Sequence, residues 1–145
     1  MKINAIIKKY RFLWMAALLV PVLAAVYGWT AAPGMVTHLG AREAAELMAR
    51  HQEDRAFAVI DMRTPAEYRQ GHLAGARLID FHDPQFKSRL DRLDREKTYL
   101  VYCRSGNRTG KALSVMKDLG FQKVYHLKGG ILDWNAHRLP LAQPE

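Results

Sequence analysis

The chain holds one cysteine, Cys103, in the run Cys103-Arg104-Ser105-Gly106-Asn107-Arg108. The apolar stretch Tyr99-Leu100-Val101-Tyr102 leads into this run, and a helix-like pattern follows it. A free cysteine is commonly a small, inert core residue, but these neighbours argue for a nucleophile. A short turn from a buried strand into a helix converges the backbone N–H groups of residues 104 to 108 on one point. Such unpaired donors at a helix N-terminus favour negative charge. Ser105, Gly106 and Asn107 tolerate unusual backbone angles and close approach, while Arg104 and Arg108 add two permanent positive charges. A thiol so placed is expected below its free value of about 8.5. The loop would hold an anionic sulfur and bind an oxyanion beside it.

Little else in the chain offers chemistry. One cysteine excludes an intrachain disulfide and a cysteine-cluster metal site. The six histidines, at 38, 51, 72, 82, 126 and 137, are scattered without HxH or HxxxH spacing, so no metal is expected. The formal charge is +8 over 145 residues. Lys2, Lys8, Lys9 and Arg11 supply half of it, and the remaining surplus is spread without a basic run or aromatic interleaving. That pattern argues against a nucleic-acid partner and fits a mildly cationic face that attracts small anions.

The elements that must position Cys103 alternate. Residues 35–39 read as a short strand and Arg42 to His51 as an amphipathic helix. Phe57 to Ile60, ending in Asp61, is a compact apolar run suited to a strand buried on both faces. Thr64-Pro65 is a helix start, and Gly71 ends that short helix. A strand over Ala76–Ile79 and a helix over Pro84–Leu93 follow. The strand ending at Tyr102, a helix from Asn107 to Leu119 stopped by Gly120, and a strand over Val124–Leu127 come next. Gly129-Gly130 forms a tight turn before a last helix over Ile131–Ala136. Near-continuous apolar strands separated by helices predict an α/β domain with a central parallel sheet of about five strands flanked by helices. In such a fold ligands bind outside the carboxyl ends of the strands, where Cys103 falls.

The N-terminus has a different character. Residues 1–11 are basic, and residues 12–29 run 18 positions without a charge, with aromatics at both ends. As a helix this stretch spans about 27 Å, enough to cross a bilayer core. It is expected to be a membrane anchor, or alternatively the apolar region of a cleaved signal peptide. The basic residues preceding it keep the N-terminus cytoplasmic and put the domain on the outer, periplasmic side. Residues 30–35 form a linker, 36–140 the domain and 141–145 a tail.

The loop Cys103 to Arg108 resembles the active-site loop of the rhodaneses, the thiosulfate sulfurtransferases. The likeness extends to Ile60-Asp61-Met62-Arg63, Glu67-Tyr68, Gly71-His72-Leu73-Ala74-Gly75-Ala76, Leu119-Gly120-Phe121, and Gly129-Gly130 with Trp134. It implies a rhodanese-like three-layer domain and a Cys103 persulfide. Sulfur would come from a donor such as thiosulfate and pass to cyanide or a thiol, without metal or organic cofactor. A thiol protein partner, in or near the membrane, is a further expectation. By the same resemblance Arg104 meets the donor's oxyanion with Ser105, Gly106 and Asn107, and Arg63 is a candidate substrate contact. Arg108 either binds substrate or pairs internally with Glu67; Asp61 braces the loop, and His72 holds the chain locally. Cysteine phosphatases resemble this loop but carry arginine six positions after cysteine, where this chain has Thr109. Arg108 lies five positions on, which makes a tighter cradle, suited to sulfur. A non-catalytic binding module of the same fold is the other alternative.

Overall fold

The computed structural model describes residues 36–143. Residues 1–35, which include the basic region, the apolar segment 12–29 and the linker, lie outside the described residues, as do 144 and 145. Among the described residues no helix is long and apolar enough to cross a membrane.

Five parallel strands form one sheet in the order β1-β5-β4-β2-β3. They are β1 Val36–Leu39, β2 Phe57–Asp61, β3 Ala76–Leu78, β4 Thr98–Tyr102 and β5 Lys123–Leu127. The helices are α1 Ala41–Arg50, α2 Pro65–Arg69, α3 Phe86–Asp91, α4 Asn107–Asp118 and α5 Gly130–Ala136. This is the parallel α/β sheet flanked by helices expected from the alternating pattern, in the three-layer form that the resemblance implies.

Period-two alternation along buried strands sorts the core into two layers. In β4, Tyr99 and Val101 pack with Phe86 and Leu90 of α3 and Ala112 and Met116 of α4. Leu100 and Tyr102 pack on the other face with Ala41 and Ala44 of α1 and Ile131 and Trp134 of α5. Each large apolar side chain so buried stabilises the fold by roughly 1.5–3 kcal/mol before chain entropy is counted.

The chain winds outward from β2 to β3 in one direction and from β4 to β5 in the other. The order therefore reverses between β2 and β4, and a crevice opens beyond their carboxyl ends. Asp61 ends β2, and Cys103 follows β4.

Element ends follow local hydrogen bonds. Thr64 caps α2 through a reciprocal box: its hydroxyl accepts from Glu67 N–H at 3.3 Å, and Glu67 Oε2 accepts from Thr64 N–H at 2.9 Å. Helix α3 is shorter than the expected span from Pro84 to Leu93. Asp83 accepts from Gln85 N–H through its side chain and from Phe86 N–H through its carbonyl, each at 2.8 Å, which holds a turn and delays the helix. Ala142, in the stretch that the sequence reads as a tail, is paired to the domain. Ala142 and His72 exchange backbone hydrogen bonds at 2.9 and 2.8 Å in an antiparallel bridge.

Candidate functional site

Strand β4 fixes Cys103 by continuing its alternation: the side chain falls on the same face as Tyr99 and Val101 and is fully buried. The chain then turns sharply. Gly106 takes φ +86°, and a Cβ there would stand 1.8 Å from the Lys128 carbonyl oxygen. Only glycine meets both demands. The turn returns Gly106 N–H to Cys103 Sγ at 3.2 Å, and Thr109 Oγ1 lies 3.5 Å from the same sulfur.

Helix α5 holds the loop from outside. Its Ile131 and Leu132 N–H groups donate to the Cys103 and Arg104 carbonyls at 2.9 and 3.1 Å. Two orphan donors of that helix end are thereby satisfied, and with the loop carbonyls drawn to α5, the loop N–H groups are left to face the sulfur. Gly130 makes the approach possible. It has φ +60°, and a Cβ would meet both carbonyl oxygens at 2.5 Å.

The electrostatics favour a thiolate. Burial pushes the Cys103 thiol up. Hydrogen bonds from the Thr109 hydroxyl and from the Thr109, Ser105 and Gly106 backbone outweigh it, so the thiol lies below its ordinary value. The N-terminus of α4 adds its partial positive charge, and the Arg108 guanidinium also interacts favourably with the sulfur.

Arg108 is bidentate to Glu67, with Nη1 to Oε2 and Nη2 to Oε1 both 2.7 Å. That pair ties α4 to α2 across the crevice. The Arg108 hydrogen bonds, against the opposing effect of burial, hold the Glu67 carboxyl at about 2. Arg63 is buried beside Asp61. Its Nε lies 3.0 and 2.9 Å from the two carboxylate oxygens, and its Nη2 reaches Asp61 Oδ2 at 2.7 Å and the Gly71 carbonyl at 2.8 Å. Tyr102 donates its hydroxyl to Asp61 Oδ2 at 2.5 Å and accepts from Leu73 N–H at 3.1 Å. Burial and then the Asp61 charge push that phenol upward, so it stays a donor.

Arg104, Ser105 and Asn107 are exposed, whereas Gly106 is buried. Arg104 lines a cavity of about 180 Å³ together with Arg63, Glu67, Ile131, Leu132 and Leu141. A larger one, about 430 Å³, lies away from the nucleophile among Met48, His51, Phe57 and Gly75, at the amino end of β2. His72 stacks on Tyr68 with ring centroids 3.8 Å apart and bridges to Ala142, so it braces the chain. No group of three or more histidine, cysteine or carboxylate side chains is gathered for a metal among the described residues.

A model of the rhodanese-like domain matches residues 43–137. The chain belongs to the rhodanese-like family. It is 34% identical over 87 residues to a sulfurtransferase of Allochromatium vinosum, a match covering 60% of this chain and 79% of that one. It is also 37% identical over 87 residues to a tRNA uridine(34) hydroxylase of Bartonella bacilliformis, covering 57% of this chain but only 28% of the relative. Among solved structures, a rhodanese-related protein of Thermoplasma volcanium superposes with a TM-score of 0.58 at 28% identity, over 69% of this chain and 95% of that one. The rhodanese-like domain thus has relatives named as sulfurtransferases, and it also occurs inside longer proteins of other names.

Of the residues singled out in the sequence, Cys103 to Arg108, Glu67, Asp61 and Arg63 all meet at this one sheet edge. Sequence reasoning missed Thr109, whose hydroxyl touches the sulfur, and Tyr102, whose hydroxyl reaches Asp61. It also read Gly129-Gly130 as a turn alone, without the hold of α5 on the loop. The signal for Thr109 was its place directly after the cradle, one helical turn from Gly106.

Proposed function

We propose that this protein is a sulfurtransferase that carries sulfane sulfur as a persulfide on Cys103. The observation that carries the proposal is a buried sulfur ringed by N–H donors and a hydroxyl, its thiol held below the ordinary value. The thiolate attacks the outer sulfur of a donor such as thiosulfate. A new S–S bond forms as the donor's own S–S bond breaks, and its electron pair leaves on sulfite. A nucleophilic acceptor, cyanide or a thiolate, then attacks the terminal sulfur and regenerates the Cys103 thiolate. Each half-reaction balances without metal, cofactor or external reductant, and the covalent intermediate makes the kinetics ping-pong.

The cradle N–H groups of Ser105, Gly106 and Asn107 stabilise the terminal sulfur, and exposed Arg104 meets the donor's oxyanion. Arg108 is held by Glu67 and Arg63 by Asp61, so both shape the positive field more than they touch substrate. Incubating the purified chain with thiosulfate and weighing it tests the proposal. A gain of one sulfur atom, absent in Cys103→Ser, is expected. No adduct together with no thiosulfate:cyanide activity overturns it in favour of a binding module, and turnover of an aryl phosphate overturns it in favour of a phosphatase.

We further propose that residues 12–29 anchor the domain on the outer face of a membrane, on the strength of their uncharged length and the preceding basic residues. The mass of the mature N-terminus separates a retained anchor from a cleaved signal.

A further inference from the structure

Behind the sulfur, a line of polar side chains leaves the cradle along the α4 face of the sheet. Thr109 Oγ1 stands 3.5 Å from Cys103 Sγ and 2.8 Å from His126 Nε2. His126 Nδ1 in turn stands 3.0 Å from His38 Nδ1. Thr109 is fully buried, His126 is 4% exposed, and His38 reaches solvent on edge strand β1. Strand register puts His38 directly opposite His126, so the alignment is set by the sheet and not by flexible loops. Within a sheet core, an imidazole whose two nitrogens both find partners is expected to be there for its polarity.

Counting protons leaves two directions for the line. Burial, followed by the neighbouring His38, disfavours a charged His126; a hydrogen bond to the Gly106 carbonyl opposes them without prevailing, and Lys128 adds to the lowering. The ring is therefore neutral and carries one N–H. Thr109 has one hydroxyl proton and three acceptors in reach: Gly106 O at 3.0 Å, His126 Nε2 and Cys103 Sγ. Gly106 O already accepts from Gly110 N–H at 2.8 Å, and an anionic sulfur is a stronger acceptor than this carbonyl's second lone pair. With its proton on Nδ1, His126 would present a bare Nε2 that takes the Thr109 proton away from the sulfur. With its proton on Nε2, it donates to Thr109 Oγ1, and the hydroxyl proton turns to the thiolate. Its free Nδ1 then accepts from His38 Nδ1–H. Both arrangements give every donor an acceptor; the second alone points them toward the anion, in keeping with the Thr109 hydroxyl bond that lowers the Cys103 thiol.

We infer that His126, held in the Nε2–H tautomer by His38, is a positioning residue that aims the Thr109 hydroxyl at the Cys103 sulfur. The same alignment serves a persulfide anion. The inference rests on Cys103 working as a thiolate, as proposed above, but its test does not depend on sulfur transfer. The chain has a single cysteine, so its ultraviolet thiolate absorbance, read against Cys103→Ser, titrates this sulfur alone. Thr109→Val moves that titration upward by about one pH unit, the loss of one hydrogen bond to a charged group, and His126→Leu, which leaves the hydroxyl unaimed, moves it in the same direction by up to as much. The double variant moves it no further, and His126→Gln, whose amide can still donate to Thr109, recovers part of the shift. Nitrogen-15 imidazole spectra of the unaltered chain show His126 protonated at Nε2. Coincident titrations for His126→Leu and the parent, fully additive shifts in the double variant, or a proton found on Nδ1 would each overturn the inference. A parent that titrates as expected yet never loads sulfur would instead overturn only the sulfurtransferase proposal.

Discussion

Arg108 commits both terminal nitrogens to Glu67, and Arg63 commits its Nε and Nη2 to Asp61 and the Gly71 carbonyl. Of the three arginines around the crevice, Arg104 is the exposed one. The Glu67–Arg108 pair is half-buried, with side chains 25% and 18% accessible, so its Coulombic gain is only partly screened. Its pH dependence has a definite sign. The Glu67 carboxyl is lowered from 4.5 to about 2 in the folded chain. Its contribution is therefore fully present above the unfolded value and is lost as pH falls from there through the folded one. Discounted for screening, the shift corresponds to about 1–2 kcal/mol. Glu67→Gln keeps an acceptor for the Thr64 cap but removes the charge. Denaturant midpoints at neutral pH should show the variant less stable by that amount, with the two chains converging as pH is lowered toward about 2. Curves that coincide across that range would mean the pair contributes nothing, and a constant offset would mean the loss is not one of charge.

At the scale of elements, the cradle depends on α5 as much as on the strand and helix that flank it. The α5 N–H groups that draw the Cys103 and Arg104 carbonyls outward come from a helix of 7 residues that supplies no side chain to the sulfur. Gly130→Ala and Gly120→Ala separate this hold from backbone strain. Both positions have positive φ, +60° and +85°, so each substitution is strained by about 1–2 kcal/mol. At Gly120 an added Cβ meets nothing within 4 Å, whereas at Gly130 it collides with the two loop carbonyls. Gly120→Ala should therefore lower stability while leaving thiosulfate loading of Cys103 intact. Gly130→Ala should lower stability and also slow loading by at least about tenfold, since the cradle donors are displaced. Equal loading rates in the two variants would show that α5 does not set the loop.

Over the whole molecule, the sequence revealed the layers because buried parallel strands read as apolar runs, and glycine and proline punctuate them. The cradle was legible for a related reason: Cys103 to Arg108 are contiguous, and their types announce their chemistry. Strand order was not legible, because it depends on which distant strands pair. Nor was the support of the site. Backbone donors such as Ile131 N–H carry no letter in the sequence, and His126 becomes informative only when β5 places it beside Thr109. Both core layers, and every residue of the cradle and its supports, belong to the described span. With one buried cluster on each face of the sheet, that span holds the two-sided core a stable α/β domain needs. A chain beginning at residue 34, where the compact unit that contains the site starts, is therefore expected to unfold in one cooperative transition and to load sulfur at the rate of the full chain. Denaturation followed by both tryptophan fluorescence and circular dichroism checks the first expectation, and mass spectrometry after thiosulfate checks the second. Non-coincident transitions, or loading restored only when residues 1–33 are present, would mean that the N-terminal segment contributes to the fold or the site.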